Sequence, residues 1–183
     1  MEPLSIIQSN FLNPELLSIT QSKQMGIWSP GGLPSFGVTP YIKRLKKPKI
    51  RILDVGVRRG ENAYHLFESD RFFKIERICG VRYEGENHFD SLIKENVKDW
   101  NDRFFLDFKE CKFDVVCINT DTNEKELDSM MNLYYDAVES GGIFCGNNHS
   151  TVKTKEALGR LRRTKKIGIP VNVSFDSFFW YVR

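Results

Sequence analysis

The 183-residue sequence predicts a doubly wound α/β fold whose mostly parallel sheet ends in an antiparallel hairpin. Two observations carry this prediction. From residue 49 onward, apolar runs of strand length alternate with segments of helical periodicity, which is the pattern of repeated βαβ units. Near the end of the chain, two strand-like runs are separated only by Asp176 and Ser177, and so short a connection requires antiparallel strands.

Each element is predicted from its local pattern. Strands are expected where apolar runs are bounded by turn residues, and helices where apolar residues recur every three or four positions. The predicted strands are 49–56, 75–84, 103–108, 113–120, 141–148, 171–175 and 178–183. The predicted helices are a short one near 13–23, then 61–70, 88–100, 122–138 and 151–166. The SGG run at 140–142 is expected to end the fourth of these as a glycine cap.

Length and composition predict one domain with an additional segment. A chain with 40% apolar and 28% charged residues has the composition of a folded protein with a single core. Five of the seven prolines fall within residues 1–42, so we expect residues 1–48 to form an N-terminal arm or lid. Residues 49–183 are then expected to form the α/β domain.

Membrane and disulfide-rich classes are disfavoured. The apolar runs are far shorter than the roughly 20 residues of a membrane span, so no membrane partner is expected. An acid at position 2 and the lack of a basic n-region predict no secretory signal and a cytoplasmic location. The four cysteines are widely spaced without a CxxC pair and are expected to be reduced core thiols: Cys79, Cys111, Cys117 and Cys145.

Three segments carry a resemblance to a known family: LDVGVRRGENA (53–63), FDVVCINTD (113–121) and GGIFCGNN (141–148). Together with the terminal hairpin, they resemble the class I S-adenosylmethionine-dependent methyltransferases, which have a Rossmann-like sheet. The nearest subgroup is the small O-methyltransferases, whose strands 1, 4 and 5 are similar to EIGVxRGxS, FDxIxIDGDH and GGxxxxxDY. The resemblance spans residues 49–183 and implies S-adenosylmethionine as the cofactor.

The resemblance implies that the turn after the first strand binds this cofactor. Asp54 would begin the turn, Gly56 would let the backbone come close to the cofactor, and Gly60 would pack helix against strand. A departure is the pair of cations at Arg58 and Arg59, which suit a carboxylate or phosphate better than a sulfonium. The alternative is a strand and tight turn in an α/β domain that binds nothing.

The end of the second strand departs from the family pattern. Arg82 stands where an acid that binds both ribose hydroxyls is expected. Glu84 would substitute for that acid, and Tyr83 would stack on the adenine. The alternative is an exposed Arg82–Glu84 ion pair. Asp107, after the third strand, would contact the adenine amino group, or else is a solvated acid.

The resemblance also bears on metal binding. Related O-methyltransferases hold Mg²⁺ with carboxylates after strands 4 and 5, where this chain has Asn119, Asn147 and Asn148. Three neutral amides supply none of the negative charge that Mg²⁺ requires, and Asp121 is the only acid nearby. No metal is therefore expected, and Asn119 is counted among the cofactor-binding residues.

His149 and Asp121 are the candidate catalytic residues. His149 follows the fifth strand, and an imidazole with a pKa of about 6.5 accepts a proton from a hydroxyl that attacks a methyl group. Alternatively, His149 is a loop residue that caps the next helix beside Ser150 and Thr151. The acceptor implied is a hydroxyl or similar group of a small molecule or sugar.

Residues 24–41 are predicted to be a mobile cover over the strand ends, with Trp28 as an apolar anchor. Closure would exclude water and supply the acceptor pocket. The alternative is a packing arm in which Trp28 and Phe36 cover one edge of the sheet.

Two further functions stay open. A catalytically degenerate protein would keep the methyltransferase fold and serve as a binding or partner module, as Arg82 and the asparagines favour. An RNA methyltransferase is indicated only by the basic runs 43–51 and 160–166. Neither run has interleaved aromatic residues, so a nucleic-acid partner is not favoured over a solvated basic face. The sequence predicts no oligomeric state.

Overall fold

A computed structural model describes residues 17–26, 28–106 and 112–183. The strands are β1 (Ile50–Val55), β2 (Ile75–Val81), β3 (Phe104–Phe105), β4 (Phe113–Ile118), β5 (Val138–Gly146), β6 (Asn172–Ser174) and β7 (Ser177–Tyr181). The α-helices are α1 (Ile19–Gln24), α2 (Thr39–Ile42), α3 (Glu61–Glu68), α4 (Asp90–Asn96), α5 (Glu124–Tyr135) and α6 (Val152–Thr164). Short 3-10 helices lie at Lys43–Leu45, Glu86–Phe89 and Lys98–Trp100.

The strands form one sheet in the order β3-β2-β1-β4-β5-β7-β6. Strands β1 to β5 pair in parallel, whereas β7 runs antiparallel to both β5 and β6. The predicted fold class is thus confirmed. The strand order reverses between β1 and β4, and in open α/β sheets ligands bind beyond the carboxyl ends of the strands at such a point.

Helices cover both faces of the sheet. One buried cluster lies under α3, α4 and the arm, with Ile52 and Phe67 among its members. The other lies under α5 and α6 and includes Phe144 and the fully buried Trp180. Both faces of the central strands are therefore apolar, which explains their nearly continuous hydrophobic runs.

The prediction for the SGG run at 140–142 is wrong. Helix α5 ends at Tyr135, and β5 already begins at Val138, so the run lies inside the strand. The register between β4 and β5 shifts at this point. A Cβ on Gly142 would lie 2.6 Å from the carbonyl oxygen of Asp114, so glycine serves a strand irregularity here and not a helix cap.

Other elements have boundaries that differ from the predicted ones. The hairpin turn consists of Phe175 and Asp176, with φ of 49° and 64°, whereas Ser177 pairs with Ser174 across the ladder. Two central residues with positive φ form the type of turn that matches strand twist. Strand β2 ends at Val81, so residues 82–84, which were predicted to continue the strand, lie outside it. The helix predicted near 13–23 lies partly outside the described residues; within them, α1 runs from Ile19 to Gln24.

The N-terminal arm packs on the sheet and on α3. Val38 and Ile42 are fully buried in the core cluster of that face. The arm backbone passes so close to β6 that a Cβ on Gly37 would lie 2.0 Å from the carbonyl oxygen of Ser174. Trp28 packs edge-on against Tyr64 of α3. The role of lid stays a prediction.

Cysteines and helix lengths bear on two further expectations. Cys79, Cys117 and Cys145 are buried free thiols, while Cys111 lies outside the described residues. The facing Cys117 and Cys145 have their sulfur atoms 3.5 Å apart. Within the described ranges, the helices are all too short or too polar to traverse a lipid bilayer.

Candidate functional site

The turn after β1 contains a buried carboxylate with one oxygen unsatisfied. Asp54 is fully buried, and its Oδ1 accepts a hydrogen bond of 2.7 Å from Nδ2 of Asn62. Its Oδ2 has no hydrogen-bond partner among the described residues. An unpaired buried acceptor carries a desolvation cost of about 1–3 kcal/mol or more. This oxygen is therefore a position where a ligand donor would be stabilising.

The environment of Asp54 raises the pKa of its carboxyl group toward neutral pH. Burial raises the pKa of this carboxyl to about 7, the hydrogen bond from Asn62 opposes that rise, and the nearby charges of Glu86 and Glu61 add to it. Strongly shifted carboxyl groups concentrate at functional sites, although structural groups shift as well. Asp54 is therefore poised to change charge when a cationic or donor group arrives.

Gly56 has the geometry that only glycine satisfies. Its φ is +78°, and a Cβ there would lie 2.4 Å from Cε2 of Tyr83 and 3.0 Å from Cβ of Asn119. Its N–H donates a hydrogen bond of 2.7 Å to the carbonyl oxygen of Val81. This hydrogen bond fixes the turn to the end of β2. The side of Gly56 where a Cβ would be lies against the Tyr83 ring.

Tyr83 itself fills the space over this turn. Its side chain is buried, and its hydroxyl donates a hydrogen bond to the carbonyl oxygen of Asn119. Burial raises the pKa of the hydroxyl, which therefore stays protonated as a donor. Two features of the turn suit a bound cofactor. One is the buried Asp54 carboxylate, whose Oδ2 has no partner among the described residues, and the other is Gly56, which has no side chain to block close approach. A cofactor seated on Gly56 nevertheless requires the Tyr83 ring to swing away.

Glu84 and Arg82 lie off the end of β2. Glu84 is exposed, and its N–H donates to Oε1 of Glu126 at 3.0 Å. Arg82 pairs with Asp90 of α4 at 2.8 Å, so the alternative of an Arg82–Glu84 pair is wrong. Glu84 therefore supplies no buried carboxylate at the end of β2.

Sequence reasoning missed Glu86 and Asn62. Oε2 of Glu86 accepts a hydrogen bond of 3.0 Å from the N–H of Tyr83, and its charge acts on Asp54. Asn62 bonds both Asp54 and the hydroxyl of Ser35 in the arm. The available signal for Asn62 was a polar residue among the apolar positions that α3 buries. No local pattern indicated Glu86.

Gly60 contacts a helix and not a strand. It is the N-cap residue of α3 with φ of +79°, and a Cβ there would lie 3.5 Å from Val97 and 3.7 Å from Ile93. Ile93 lies in α4, and Val97 directly follows this helix. Gly60 thus allows α3 and the α4 region to pack closely at the turn.

The ends of β4 and β5 are joined by satisfied amides. Asn119 donates from Nδ2 to the carbonyl oxygen of Gly56 at 3.2 Å. Asn147 accepts from the N–H of Thr120 at 2.8 Å and donates to the carbonyl oxygen of Gly32 in the arm at 2.8 Å. These side chains hold the sheet edge and the arm together.

Asp121 lies beside Asn148 at the same edge. Its carboxylate accepts a hydrogen bond of 2.9 Å from Nδ2 of Asn148 and lies 3.5 Å from the guanidinium of Arg58. Arg58 thus places positive charge beside Asp121, a contact that the sequence did not predict. Within the described parts of the chain, no group of three or more His, Cys, Asp or Glu side chains could hold a metal. Metal independence stays a prediction.

His149 lies between this edge and the terminal hairpin. It is half-buried, and its N–H donates to the carbonyl oxygen of Asp176 at 2.9 Å. The side chain that caps α6 is that of Thr151, which accepts from the N–H of Thr154 at 3.3 Å. His149 therefore does not cap the helix, and it directly follows Asn148, the partner of Asp121. Asp107 lies outside the described residues.

The basic runs lie at the opposite edge of the sheet. Residues 43–49 precede β1, and 160–166 end α6, so both are near the amino ends of the strands. Arg160 is paired with Glu124 and Asp128, each at 2.8 Å. The two runs lie far from the turn after β1, and Lys47, Arg160 and Lys165 within them are paired with acids, which favours a solvated face over a phosphate-binding groove at that turn.

Comparisons with known proteins agree with the fold. In sequence, the chain matches no protein-family model and no curated protein. In structure, it is similar to the O-methyltransferase NovP, with a TM-score of 0.61, 11% identity and coverage of 79% of this chain and 78% of NovP. An O-methyltransferase from Bacillus cereus in complex with S-adenosylhomocysteine gives a TM-score of 0.57 and 14% identity, covering 96% of this chain and 86% of that one.

A third similar structure is TomG from Streptomyces achromogenes, an O-methyltransferase of tomaymycin synthesis in complex with S-adenosylmethionine. It gives a TM-score of 0.56 and 11% identity, covering 97% of this chain and 95% of TomG. At these identities the similarity shows the fold of S-adenosylmethionine-dependent methyltransferases and nothing finer. The resemblance to the IDGDH subgroup stays a prediction.

Proposed function

We propose that this chain is an S-adenosylmethionine-dependent methyltransferase whose cofactor lies on the Asp54–Gly56 turn. The observation that carries the proposal is Oδ2 of Asp54, which is buried without a hydrogen-bond partner among the described residues. Asp54 lies two residues before a glycine with positive φ. Buried polar atoms are normally hydrogen-bonded, so each exception needs an explanation. A ligand donor at the strand-order switch point supplies one.

The residues around the turn have separate roles under this proposal. The bound cofactor would supply an activated methyl group on a sulfonium. Asp54 would accept a donor or cationic group of the cofactor, and Gly56 would leave room for close approach of the backbone. Tyr83 would rotate away from the turn and become available to stack on a ring. Asn119 would keep the β1 and β4 ends at a fixed spacing through Gly56.

The proposed acceptor is a hydroxyl or similar group of a small molecule or sugar. The O-methyltransferases with similar folds support this class. His149 would take the proton of the attacking hydroxyl, and Asp121 would lie at the same edge, held by Asn148. The arm reaches this edge through Gly32, whose carbonyl accepts from Asn147, and would help to exclude water.

Calorimetric titration of S-adenosylhomocysteine tests the binding step without a known acceptor. We expect the wild type to bind and Asp54→Asn to bind at least tenfold more weakly, because the carboxylate loses its charge. Asp102→Asn, which removes an exposed acid elsewhere, should bind as the wild type does. No heat from the folded wild type at millimolar ligand would overturn the proposal.

The buried Tyr83 ring favours a second candidate, a degenerate methyltransferase-fold module that binds a partner and no cofactor. Tyr83→Phe separates the two candidates, because it removes the hydrogen bond to Asn119 and keeps the ring. One such bond is worth about 1 kcal/mol, so the open form and the apparent cofactor affinity should rise about fivefold. Under the module candidate, both proteins would fail to bind S-adenosylhomocysteine.

A further inference from the structure

A cavity of about 490 Å³ lies between the arm and the C-terminal part of α3. Its lining residues come from the arm, from α3 and from the loop that follows α3, so it is separate from the turn after β1. Aromatic rings of Trp28, Phe36 and Phe72 form much of its wall. Ligand pockets commonly have volumes of about 300–1,000 Å³ and mostly apolar walls with a few polar groups.

The charges at this cavity are unbalanced. Lys43 and Arg71 line it, and neither has an ion pair with any described residue. The Arg71 guanidinium lies 4.7 Å and the Lys43 ammonium 5.9 Å from the centre of the Phe72 ring. The one acid in the lining, Glu68, is bound to Lys23 at 2.8 Å. The cavity therefore presents a net positive charge next to an exposed aromatic face.

His65 adds a polar atom that lacks a partner. It lines the cavity, and its Nε2 is buried without a hydrogen-bond partner among the described residues. Burial lowers the pKa of His65, so the imidazole is neutral at pH 7. A neutral imidazole nitrogen forms one directed hydrogen bond and adds no charge.

We propose that this arm–α3 cavity binds a planar aromatic molecule that carries an anionic group. The ring would pack among Trp28, Phe36 and Phe72, and the anion would face Lys43 and Arg71. A cationic ligand would be repelled by the two cations, and a neutral one would leave them unpaired. The proposal goes beyond the methyltransferase assignment and does not depend on it.

Two fluorescent dyes with the same rings test the charge preference. The anionic probe is 8-anilinonaphthalene-1-sulfonate, and N-phenyl-1-naphthylamine is its neutral counterpart. We expect the double variant Lys43→Gln/Arg71→Gln to bind the anionic dye at least tenfold more weakly and the neutral dye within twofold of the wild type. The double variant Lys94→Gln/Lys98→Gln removes two cations from a different apolar cavity and should bind both dyes as the wild type does.

Energy transfer from tryptophan tests the location. The third tryptophan, Trp100, packs on Tyr64 and Phe67 of α3 and is first replaced by phenylalanine. In this Trp100→Phe background, Trp28→Phe should reduce transfer to the anionic dye by more than half, because Trp28 lines the cavity whereas Trp180 is buried in the opposite core. The dye excited directly should keep its emission in this variant, which shows that it still binds. Circular dichroism confirms that each variant is folded. Unchanged anionic-dye affinity in Lys43→Gln/Arg71→Gln, an equal loss for the neutral dye, or unchanged energy transfer would overturn the proposal.

Discussion

The ends of β1 and of β4 and β5 lie at the same edge of the sheet, yet their polar side chains are in opposite states. At the end of β1, Asp54 is buried, one of its oxygens has no hydrogen-bond partner in the described parts of the chain, and its pKa is raised to about 7. At the ends of β4 and β5, Asn119 and Asn147 have partners for both their oxygen and their nitrogen atoms. The second region is complete in itself, whereas the first is incomplete.

The difference supports the proposal that the ends of β4 and β5 serve structure and the end of β1 serves binding. A satisfied amide network fixes the spacing of strands and the position of the arm without needing a ligand. A buried carboxylate oxygen without a hydrogen bond lowers stability, and a ligand that donates to it would remove this cost. Function is therefore expected at the turn after β1, next to a rigid edge formed by the asparagines.

The largest effect is expected at His149, which lies on the rigid edge. His149→Gln should reduce the rate of methyl transfer by about 10²–10⁴-fold, because general base catalysis contributes about that much. Affinity for S-adenosylhomocysteine should stay within twofold of the wild type, since the cofactor is expected at the turn after β1 and not at the ends of β4 and β5. His88→Gln, at an exposed position, is the matched control in a turnover assay. An unchanged rate in His149→Gln would remove His149 from the mechanism.

Asp54→Asn should increase stability while it weakens binding. Folding raises the pKa of Asp54 from 3.8 to about 7, so the folded state binds the proton more tightly than the unfolded state. The free energy of unfolding therefore falls as pH rises from about 4 to about 7, by up to about 4 kcal/mol. Asparagine removes this loss.

Urea unfolding at pH 5 and pH 8 measures this effect. The variant should gain most over the wild type at pH 8 and least at low pH. Asp102→Asn should show the same pH dependence as the wild type. If Asp54→Asn also kept the wild-type pH dependence, Asp54 would be ionised without cost, and the contrast between the two strand ends would fail.

Asn147→Asp should act in the opposite direction. The new carboxylate would face the carbonyl oxygen of Gly32, which now accepts a hydrogen bond from the amide. Loss of that donor and burial of a charge should cost about 3 kcal/mol at pH 8 and less at pH 4, where the acid is protonated. The same urea series measures it. Equal stability of variant and wild type at pH 8 would show that this edge is not the complete network described above.

Chelation should have the smallest effect. Asn119, Asn147 and Asn148 are neutral and already hydrogen-bonded, so we expect EDTA to leave methyl transfer unchanged. A paired assay with added Mg²⁺ checks the reverse case. Loss of activity on chelation, restored by Mg²⁺, would mean that Asp121 and its neighbours bind a metal.

Much of the fold could be predicted because buried parallel strands leave a strong pattern. The runs around Ile52 and Val116 are apolar on both faces, and the short link before Ser177 requires a hairpin. The errors came from glycine and from turn residues. Gly142 serves a strand irregularity where a helix cap was expected, because both situations favour glycine and only the register distinguishes them.

The turn after β1 could be predicted because a glycine-containing segment directly follows a buried strand. Gly56 lies in this turn with a positive φ, and its role in cofactor binding stays a prediction. The positions of Tyr83 and Glu86 could not be predicted, since both follow β2 and return over the turn after β1. Such a return depends on contacts between segments that are far apart in the sequence. The ion pair of Arg82 with Asp90 is likewise a tertiary contact.

Nuclear magnetic resonance with isotopically labelled protein tests the central claim most directly, because it locates the bound cofactor. We predict that S-adenosylhomocysteine shifts the amide signals of Gly56 and Asn119 and changes the ring signals of Tyr83 as it leaves the turn. The signals of His65 and Phe72, at the arm–α3 cavity, should stay unchanged and serve as the internal reference. Shifts confined to His65 and Phe72, or no shifts at saturating ligand, would contradict the assignment of the Asp54–Gly56 turn as the cofactor site.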